Sequence, residues 1–254
     1  MKVSIITITF NPGELLDKTA QSILCQSYKD FEWLIVDGNS SDNTIEKIKK
    51  YIPFLEKSRH VRWITEPDNG IYDAMNKGLR LAEGDYVWFV NAGDIIASPK
   101  TMESIFMSIP SDKTAPDFIY GETLIVDTTG KVMGERRLKT PKNLTWRSFR
   151  MGMLVCHQSM LVKRSLAPEY DLNFRYSSDF EWTIRCLKMS TSIHNTGMVL
   201  SHFLDGGVSK KKMKASLKER FQIMAQYYGW LPTVLRHIWF VCRAAWFKLF
   251  HGWI

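Results

Sequence analysis

Asp179 stands in Tyr176-Ser177-Ser178-Asp179-Phe180-Glu181-Trp182, with two hydroxyls just before it. A carboxylate beside an acceptor hydroxyl can take its proton as a general base. Glu181 competes for that role, and Ser178 or Asp179 equally suits a helix N-cap. Asn91-Ala92-Gly93-Asp94 follows an apolar run that would deliver Asp94 to a sheet edge. One carboxylate is a poor metal site alone, but Mg2+ or Mn2+ is often held by one or two carboxylates with substrate phosphates and water. Asp37-Gly38-Asn39-Ser40-Ser41-Asp42 offers a carboxylate, a glycine and small hydroxyls, which suits a polar ring and close backbone approach. Asp42 in that stretch reads as a helix cap. In the stretch from Glu66 to Gly78, Asp73, Asn76 and Lys77 fall at i, i+3 and i+4, one helical face. Lys77 reads equally as a phosphate contact or a solvated lysine. His157 lies in Cys156-His157-Gln158-Ser159, and His202 precedes a glycine-rich stretch beginning Phe203-Leu204-Asp205-Gly206-Gly207. A lone histidine is more often a hydrogen-bonded structural residue. His202 is the better metal candidate of the two because glycines follow it.

The elements that must carry these residues are legible up to Asp94. Residues 3–10, 31–36, 61–64 and 86–90 are short apolar, β-branched or aromatic runs and predict buried strands. Residues 14–26, the stretch after Asp42 with Ile45, Ile48, Tyr51 and Ile52, and residues 72–81 show helical spacing. Strand–helix alternation with short connections predicts a parallel sheet with helices on both faces. Ligands in such sheets bind beyond the C-terminal strand ends. Thr9 and Asn11, residues 37–42, 66–69 and 91–94 cluster polar groups at those ends. Beyond Asp94, residues 118–126 and 131–138 predict a hairpin, 153–162 a further strand that would contain His157, 178–189 a helix and 191–203 a last strand.

The chain has 254 residues, a net charge of +8 and four cysteines, none in a C-x-x-C pair. Neither a zinc ribbon nor a disulfide scaffold is indicated, and the cysteines read as reduced thiols in a cytosolic protein. The N-terminal run reads as a strand rather than a signal peptide, and no run of about 18 uncharged apolar residues predicts a membrane span. Two sequons, at Asn39 and Asn143, read as chance matches. Residues 1–207 carry 25 basic and 25 acidic side chains, so the whole excess lies beyond them. The tail holds nine basic residues, one acid and Trp230, Trp239, Trp246 and Trp253. Tryptophan and arginine or lysine on a helix too interrupted to span a bilayer predict a segment lying in a membrane interface. A helix packed on the domain or a dimer contact is the plainer reading. The basic residues form no recognisable nucleic-acid module, so no nucleic-acid partner is expected.

Thr7-Ile8-Thr9-Phe10-Asn11, Val36 to Thr44, Asp68 to Gly78 and Asn91 to Asp94, in that order, resemble the successive motifs of the family 2 inverting glycosyltransferases. The similarity covers roughly residues 1–210. Asp68-Asn69-Gly70-Ile71-Tyr72-Asp73-Ala74-Met75-Asn76-Lys77-Gly78, Ser177-Ser178-Asp179 and Gly206-Gly207-Val208-Ser209 are similar to bacterial members that build O-antigen, capsule or colanic-acid repeat units. The resemblance implies an α/β GT-A (Rossmann-like) fold with a mixed, mainly parallel sheet flanked by helices, followed here by a helical extension. It also implies a nucleotide-sugar donor and Mn2+ or Mg2+. Thr9 and Asp37 match positions that hold the base and ribose, Asp68 a stretch near the base, Asp94 the last acid of the D-x-D metal motif, and Asp179 the general base. Asn11, Asn76 and Lys77 complete the expected nucleotide set, His202 the expected metal set, and His157 and Glu181 are expected on the acceptor or sugar. Two departures stand out. Asn91 and Gly93 replace acids of the metal motif, and Met75 replaces an arginine whose contact falls to Lys77 or a distal arginine.

The expected enzyme transfers a sugar from a nucleotide-sugar, UDP-sugar favoured, to a hydroxyl of a growing, polyprenyl-diphosphate-linked surface oligosaccharide by single displacement. Residues 1–100 form the expected donor half, 101–207 the acceptor half and 208–254 the basic aromatic tail. The tail, from residue 210, is expected to contact an anionic membrane surface from the cytoplasmic side, on the inner face of the cell membrane. Two alternatives are a nucleotide-sugar-binding protein without transfer activity and a sugar nucleotidyltransferase. The latter needs a glycine-rich basic loop after the first strand, which residues 10–20 do not supply.

Overall fold

The computed structural model describes residues 1–55, 60–112, 114–206 and 212–251. Gly207, Val208 and Ser209 of the glycine-rich stretch, Lys210, Lys211 and Trp253 lie outside the described residues, as do the side chains of Trp246, Phe247, Lys248 and Phe250. Strands β1 (Val3–Thr9), β2 (Phe31–Asp37), β3 (His60–Thr65) and β4 (Tyr86–Phe89) alternate with helices α1 (Leu15–Leu24), α2 (Thr44–Leu55) and α3 (Ile71–Leu81). Then come β5 (Ile95–Ile96), α4 (Thr101–Met107), β6 (Phe118–Val126), β7 (Val132–Glu135), β8 (Met160–Lys163), α5 (Ser178–Met189), β9 (Ile193–Leu204), α6 (Met213–Tyr228) and α7 (Trp230–His251).

Among the described residues, nine strands form one mixed sheet in the order β3-β2-β1-β4-β8-β6-β9-β5, with β7 on β6. β1 pairs in parallel with β2 and β4, and β2 with β3. Every residue of β1 and β2 is buried, the continuous apolar pattern of strands covered on both faces. Alternate residues divide between two cores. Ile6, Ile8, Leu34 and Val36 pack towards α3 and α5, whereas Val3, Ile5, Trp33 and Ile35 pack with Leu16 and Ile23 of α1. A Cβ on Gly78 would lie 2.5 Å from the Ile6 side chain, so glycine here lets α3 lie directly on β1. That approach sets the start of α3, with Tyr72, over the strand ends.

The second half departs from the sequence pattern. The expected strand over 153–162 is only Met160–Lys163, and His157 belongs to a single 3-10 turn, His157–Ser159. The expected strand over 131–138 is reduced to Val132–Glu135. β5 and α4 were not expected. β5 has two residues and exists through antiparallel pairing with β9, a long-range contact with no local periodicity. The tail also divides. α6 packs on the domain, burying Ile223 and Met224 in the core, and the Ser216 hydroxyl meets that of Ser177 at 2.8 Å. The expected boundary at 207/208 therefore marks no break in packing. Among the described residues no helix is long and apolar enough to cross a membrane.

Glu32 joins β2 to its neighbours from a fully buried position. It accepts the Ser4 hydroxyl at 2.6 Å, Glu83 N–H at 2.7 Å and Arg62 Nη2 at 2.7 Å. Burial alone would raise its pKa, but these donors, with Lys2, outweigh burial and hold it below the usual carboxylate range. A folded-state pKa below the unfolded one contributes stability above the unfolded value, and that contribution is lost as pH falls through the folded value. Glu32→Gln should therefore lower stability by about 2 kcal/mol at neutral pH. Denaturant titrations at pH 7 and below pH 4.5, its ordinary value, should show wild type and variant converging as acid removes the wild-type advantage.

Candidate active site

Two adjoining cavities open at the C-terminal ends of the parallel strands. The first, about 1240 Å3, is lined by Thr9, Asn11, Gly38, Asn39, Asp68 and Asp73 among others. Thr9 Oγ1 is buried there without a hydrogen-bond partner. Asn11 has φ of 45°, a left-handed conformation that asparagine tolerates. Its Oδ1 accepts Ser41 N–H at 2.8 Å and Asp42 N–H at 3.3 Å, so the side chain holds the 38–42 loop against β1. Asp42 accepts the Thr44 N–H at 3.1 Å, as a cap for α2.

Asp37 differs from expectation. Its carboxylate is fully buried, accepts Ser40 N–H at 2.9 Å, the Ser40 hydroxyl and Thr65 Oγ1 at 2.7 Å, and does not line the cavity. It builds the loop, and Gly38 and Asn39 face the open space instead. A Cβ at Gly38 would collide with Asp68 Oδ2, so this glycine admits the Asp68 carboxylate. Asn76 and Lys77 are also corrected. Asn76 donates to the Tyr170 carbonyl at 3.0 Å and accepts the Tyr170 N–H at 2.6 Å. Lys77 pairs with Glu66 at 3.0 Å and donates to the Pro67 carbonyl at 2.7 Å. Neither lines either of these two cavities.

The second cavity, about 460 Å3, contains Asp94, Asp179 and His157, and shares Tyr72, Asn91 and Arg175 with the first. Asp94 is 4% exposed and accepts Leu204 N–H at 3.1 Å. Burial raises its pKa to about 7, against the opposing hydrogen bonds of Leu204, Gln158 and Asn91. Asn91 Oδ1 is buried beside it with no partner. One carboxylate and one orphaned amide oxygen are hard donors that fit Mg2+ or Mn2+. No three His, Cys, Asp or Glu converge among the described residues, so substrate oxygens and water would complete such a shell. His202 is corrected here. It pairs with Ile95 across the β5–β9 ladder and lines neither cavity. Asp205 lines the second one. It is the acid directly before the glycine pair, and that adjacency was the available sequence signal.

Asp179 opens α5, and its Oδ1 accepts the Tyr72 hydroxyl at 2.9 Å and Phe180 N–H at 2.9 Å. Burial and the charge of Asp179 hold the Tyr72 pKa well above its ordinary value, so this hydroxyl stays protonated and donates. Tyr72 stacks on Tyr170, and Tyr170 on Trp182. Burial also keeps Tyr170 protonated, and its hydroxyl lies 2.6 Å from His157 Nε2. Burial lowers His157 to about 4, so near neutrality the ring is uncharged and Nε2 is the acceptor. His157 is thereby fixed by Tyr170 rather than poised as a base. Glu181, expected on the acceptor or sugar, turns away. It accepts Arg185 Nε at 2.8 Å and the Tyr227 hydroxyl, and lines neither cavity. The cavity also receives Arg136, Arg175 and Arg220, which no motif singled out.

Comparison with known proteins agrees with this architecture. The family model described as Glycosyl transferase family 2 matches residues 4–168. An uncharacterized glycosyltransferase of Mycobacterium tuberculosis is 30% identical over 188 residues, 72% of this chain and 68% of that protein. The structure of S. aureus TarS superposes with a TM-score of 0.70 at 18% identity, over 99% of this chain and 75% of that one. TarS in complex with UDP-GlcNAc gives 0.66 at 18% identity, over 89% and 67%. The mannosyltransferase PcManGT from Pyrobaculum calidifontis, in complex with GDP-Man and Mn2+, gives 0.63 at 14% identity, over 98% and 81%. At these identities the likeness establishes a shared fold, the GT-A arrangement of a mixed α/β sheet.

Asn76→Ala tests the corrected role of that residue. Two buried backbone groups of Tyr170 would lose their partner, which should cost about 2–4 kcal/mol of stability by chemical denaturation. The far-UV circular dichroism spectrum below the melting point should stay unchanged, showing that the loss is of stability and not of fold.

Proposed function

The chain belongs to glycosyl transferase family 2 and is a glycosyltransferase, and from that premise we propose that it acts with inversion on a UDP-sugar, with Asp179 as general base. The observation that carries this reading is the Asp179 carboxylate. Tyr72 and Phe180 hold Oδ1, which leaves Oδ2 for a ligand, in a cavity that shares walls with the cleft of Thr9 and Asp68. An acceptor hydroxyl there attacks the anomeric carbon as the bond to the nucleoside diphosphate breaks on the opposite face. Its proton passes to Asp179 Oδ2. Single displacement needs no enzyme nucleophile. Thr9 Oγ1, unpaired in the cleft, and Asp68 are assigned to the nucleoside, with Asn11 shaping the loop beside them. Asp94 and Asn91 would hold Mn2+ or Mg2+, which when bound offsets the charge gathering on the leaving diphosphate. The donors in TarS and PcManGT support a nucleotide-sugar.

We assign residues 1–100 to the donor half and 101–207 to the acceptor half. The acceptor is taken as a polyprenyl-diphosphate-linked oligosaccharide of the bacterial surface, of O-antigen or capsule type. α7 supports this reading, because its Leu231, Leu235, Ile238 and Trp239 form one exposed apolar stripe. Arg243 stacks over Trp239 at 4.7 Å, and Arg236 lies on the same helix. Apolar side chains flanked by arginine suit an anionic bilayer surface, each basic group contributing about 1 kcal/mol. The protein would then work peripherally, on the inner face of the cell membrane.

Asp179→Asn should lower the turnover of UDP-sugar with lipid-linked acceptor by about 10^2–10^4-fold and leave UDP affinity nearly unchanged. Wild-type turnover in that variant would remove Asp179 from the mechanism, and a wild type that binds no nucleotide would remove the donor assignment. A second measurement addresses α7. Ile238→Ser combined with Trp239→Ser should weaken cosedimentation with phosphatidylglycerol-containing vesicles by at least about tenfold. Unchanged cosedimentation would assign the stripe to another contact.

A further inference from the structure

Arg136, Arg175 and Arg220 reach the Asp179 cavity from three separate parts of the chain. Arg136 follows β7, Arg175 precedes α5, and Arg220 lies in the second turn of α6. The nearest carboxylates on their own elements are occupied elsewhere. Glu219, next to Arg220, accepts Arg175 N–H at 2.9 Å and Tyr176 N–H at 2.8 Å, both backbone groups. Glu135, next to Arg136, pairs with Lys139.

The same cavity is lined by Asp94, Asp179 and Asp205, and the arginines differ in how they are held. Arg136 donates Nη2 to the Met153 carbonyl at 2.8 Å and Nη1 to the Leu154 carbonyl at 3.2 Å, which fixes its plane. Arg220 Nε is buried and has no hydrogen-bond partner. A buried charged donor left unpaired is unfavourable unless a ligand completes it. Guanidinium groups match carboxylate and phosphate oxygens through paired N–H donors.

Two anions compete for these arginines, the donor diphosphate and an acidic group of the acceptor, and the test below tells them apart. The cleft of Thr9 and Asp68 is the first cavity, which of the three arginines only Arg175 lines, whereas Asp94 shares the second cavity with Arg136 and Arg220. Arg136 and Arg220 line the Asp179 cavity alone. We propose that Arg136 and Arg220, assisted by Arg175, form a subsite for an acidic group of the acceptor, a carboxylate or a phosphate. The acceptor substrate is therefore an anionic saccharide or saccharide phosphate. The proposal rests on the reading of the Asp179 cavity as the acceptor site. Arg220 comes from α6, the helix that leads directly into α7, so an acceptor held at the surface by α7 would meet this arginine on entry.

The test is equilibrium binding to the full chain with UDP and Mg2+ saturating, so that the donor cleft is filled. Ligand-observed NMR would follow methyl β-D-glucuronide, phenyl phosphate and the neutral methyl β-D-glucoside. At least one acidic probe should bind about tenfold more tightly than the glucoside, the scale of one charge-assisted contact. Whichever acidic probe binds identifies a sugar carboxylate or a phosphate as the source. Arg136→Gln and Arg220→Gln should each remove most of that preference, Arg136→Lys and Arg220→Lys should keep part of it, and UDP affinity should hold in all four. Retained UDP binding also reports that each variant is folded. Acidic probes that bind no better than the glucoside would overturn the proposal, as would a preference that survives both glutamine variants. A parallel loss of UDP affinity would overturn it too, by assigning the arginines to the donor diphosphate. None of these readouts requires turnover, so inactivity of Asp179→Asn and the fate of this subsite are judged separately.

Discussion

Asn76 donates to the carbonyl of Tyr170 and accepts its N–H, a two-bond clamp between residues 94 positions apart in the chain. Gly78, two residues on, lets the same helix lie against Ile6 of β1. α3 is therefore fixed on one side to the parallel half of the sheet and on the other to the segment leading into α5. This double attachment brings Tyr72 and Asp179 within 2.9 Å, although 107 positions separate them. It also makes the two cavities neighbours with shared walls rather than separate clefts. The proposed donor site and base come from different halves of the chain and need such a fixed seam, because reacting groups must be held within fractions of an ångström.

The protonation states around that seam follow from burial. Tyr72 and Tyr170 are kept protonated and His157 neutral because each would carry its charge in a poorly solvated place. The aromatic stack of Tyr72, Tyr170 and Trp182 is thus a wall that donates hydrogen bonds but holds no spare proton acceptor near neutrality. Glu181, the other acid in the first turn of α5, faces Arg185 and Tyr227 on the far side. Two acids in one helix turn point to opposite sides because the two-residue step from Asp179, about 200° around the helix, carries Glu181 away from the cavity that Asp179 faces.

How much of this was legible in the sequence depended on the range of the interaction involved. The β1–β4 half was legible because each strand and helix announces itself through local period, and the polar strand ends then located the cavities. Side-chain direction was not legible. Asp37 occupies a strand end as expected, yet its carboxylate folds back onto Ser40 and Thr65. Asp73, Asn76 and Lys77 share a helical face, but only Asp73 lines the cleft, because Tyr170 and Glu66 capture the other two. His202 is held in the β5–β9 ladder, whereas Asp205 lies just past the end of β9 and lines the second cavity. The arginines of the second cavity were invisible for another reason. Each stands alone in its own stretch, and only the packing of β7, α5 and α6 assembles them.

α6 gives the tail a meaning that its charge did not. Read as a charge run, residues beyond 207 form one basic segment, but the helix divides it by function. Its inner face supplies Ile223 and Met224 to the core, Glu219 to the backbone ahead of α5 and Arg220 to the cavity. α7 follows after Gly229, whose φ of 89° makes the turn, and it presents Leu231, Leu235, Ile238 and Trp239 outward. The one inward anchor of that helix near its start is fully buried Thr233, with Phe240 packed against the core further on. The apolar stripe is therefore tied to the domain at two points of α7, Thr233 and Phe240. Whatever surface it meets is presented to the Asp179 cavity in a set orientation, with Arg220 on the connecting helix.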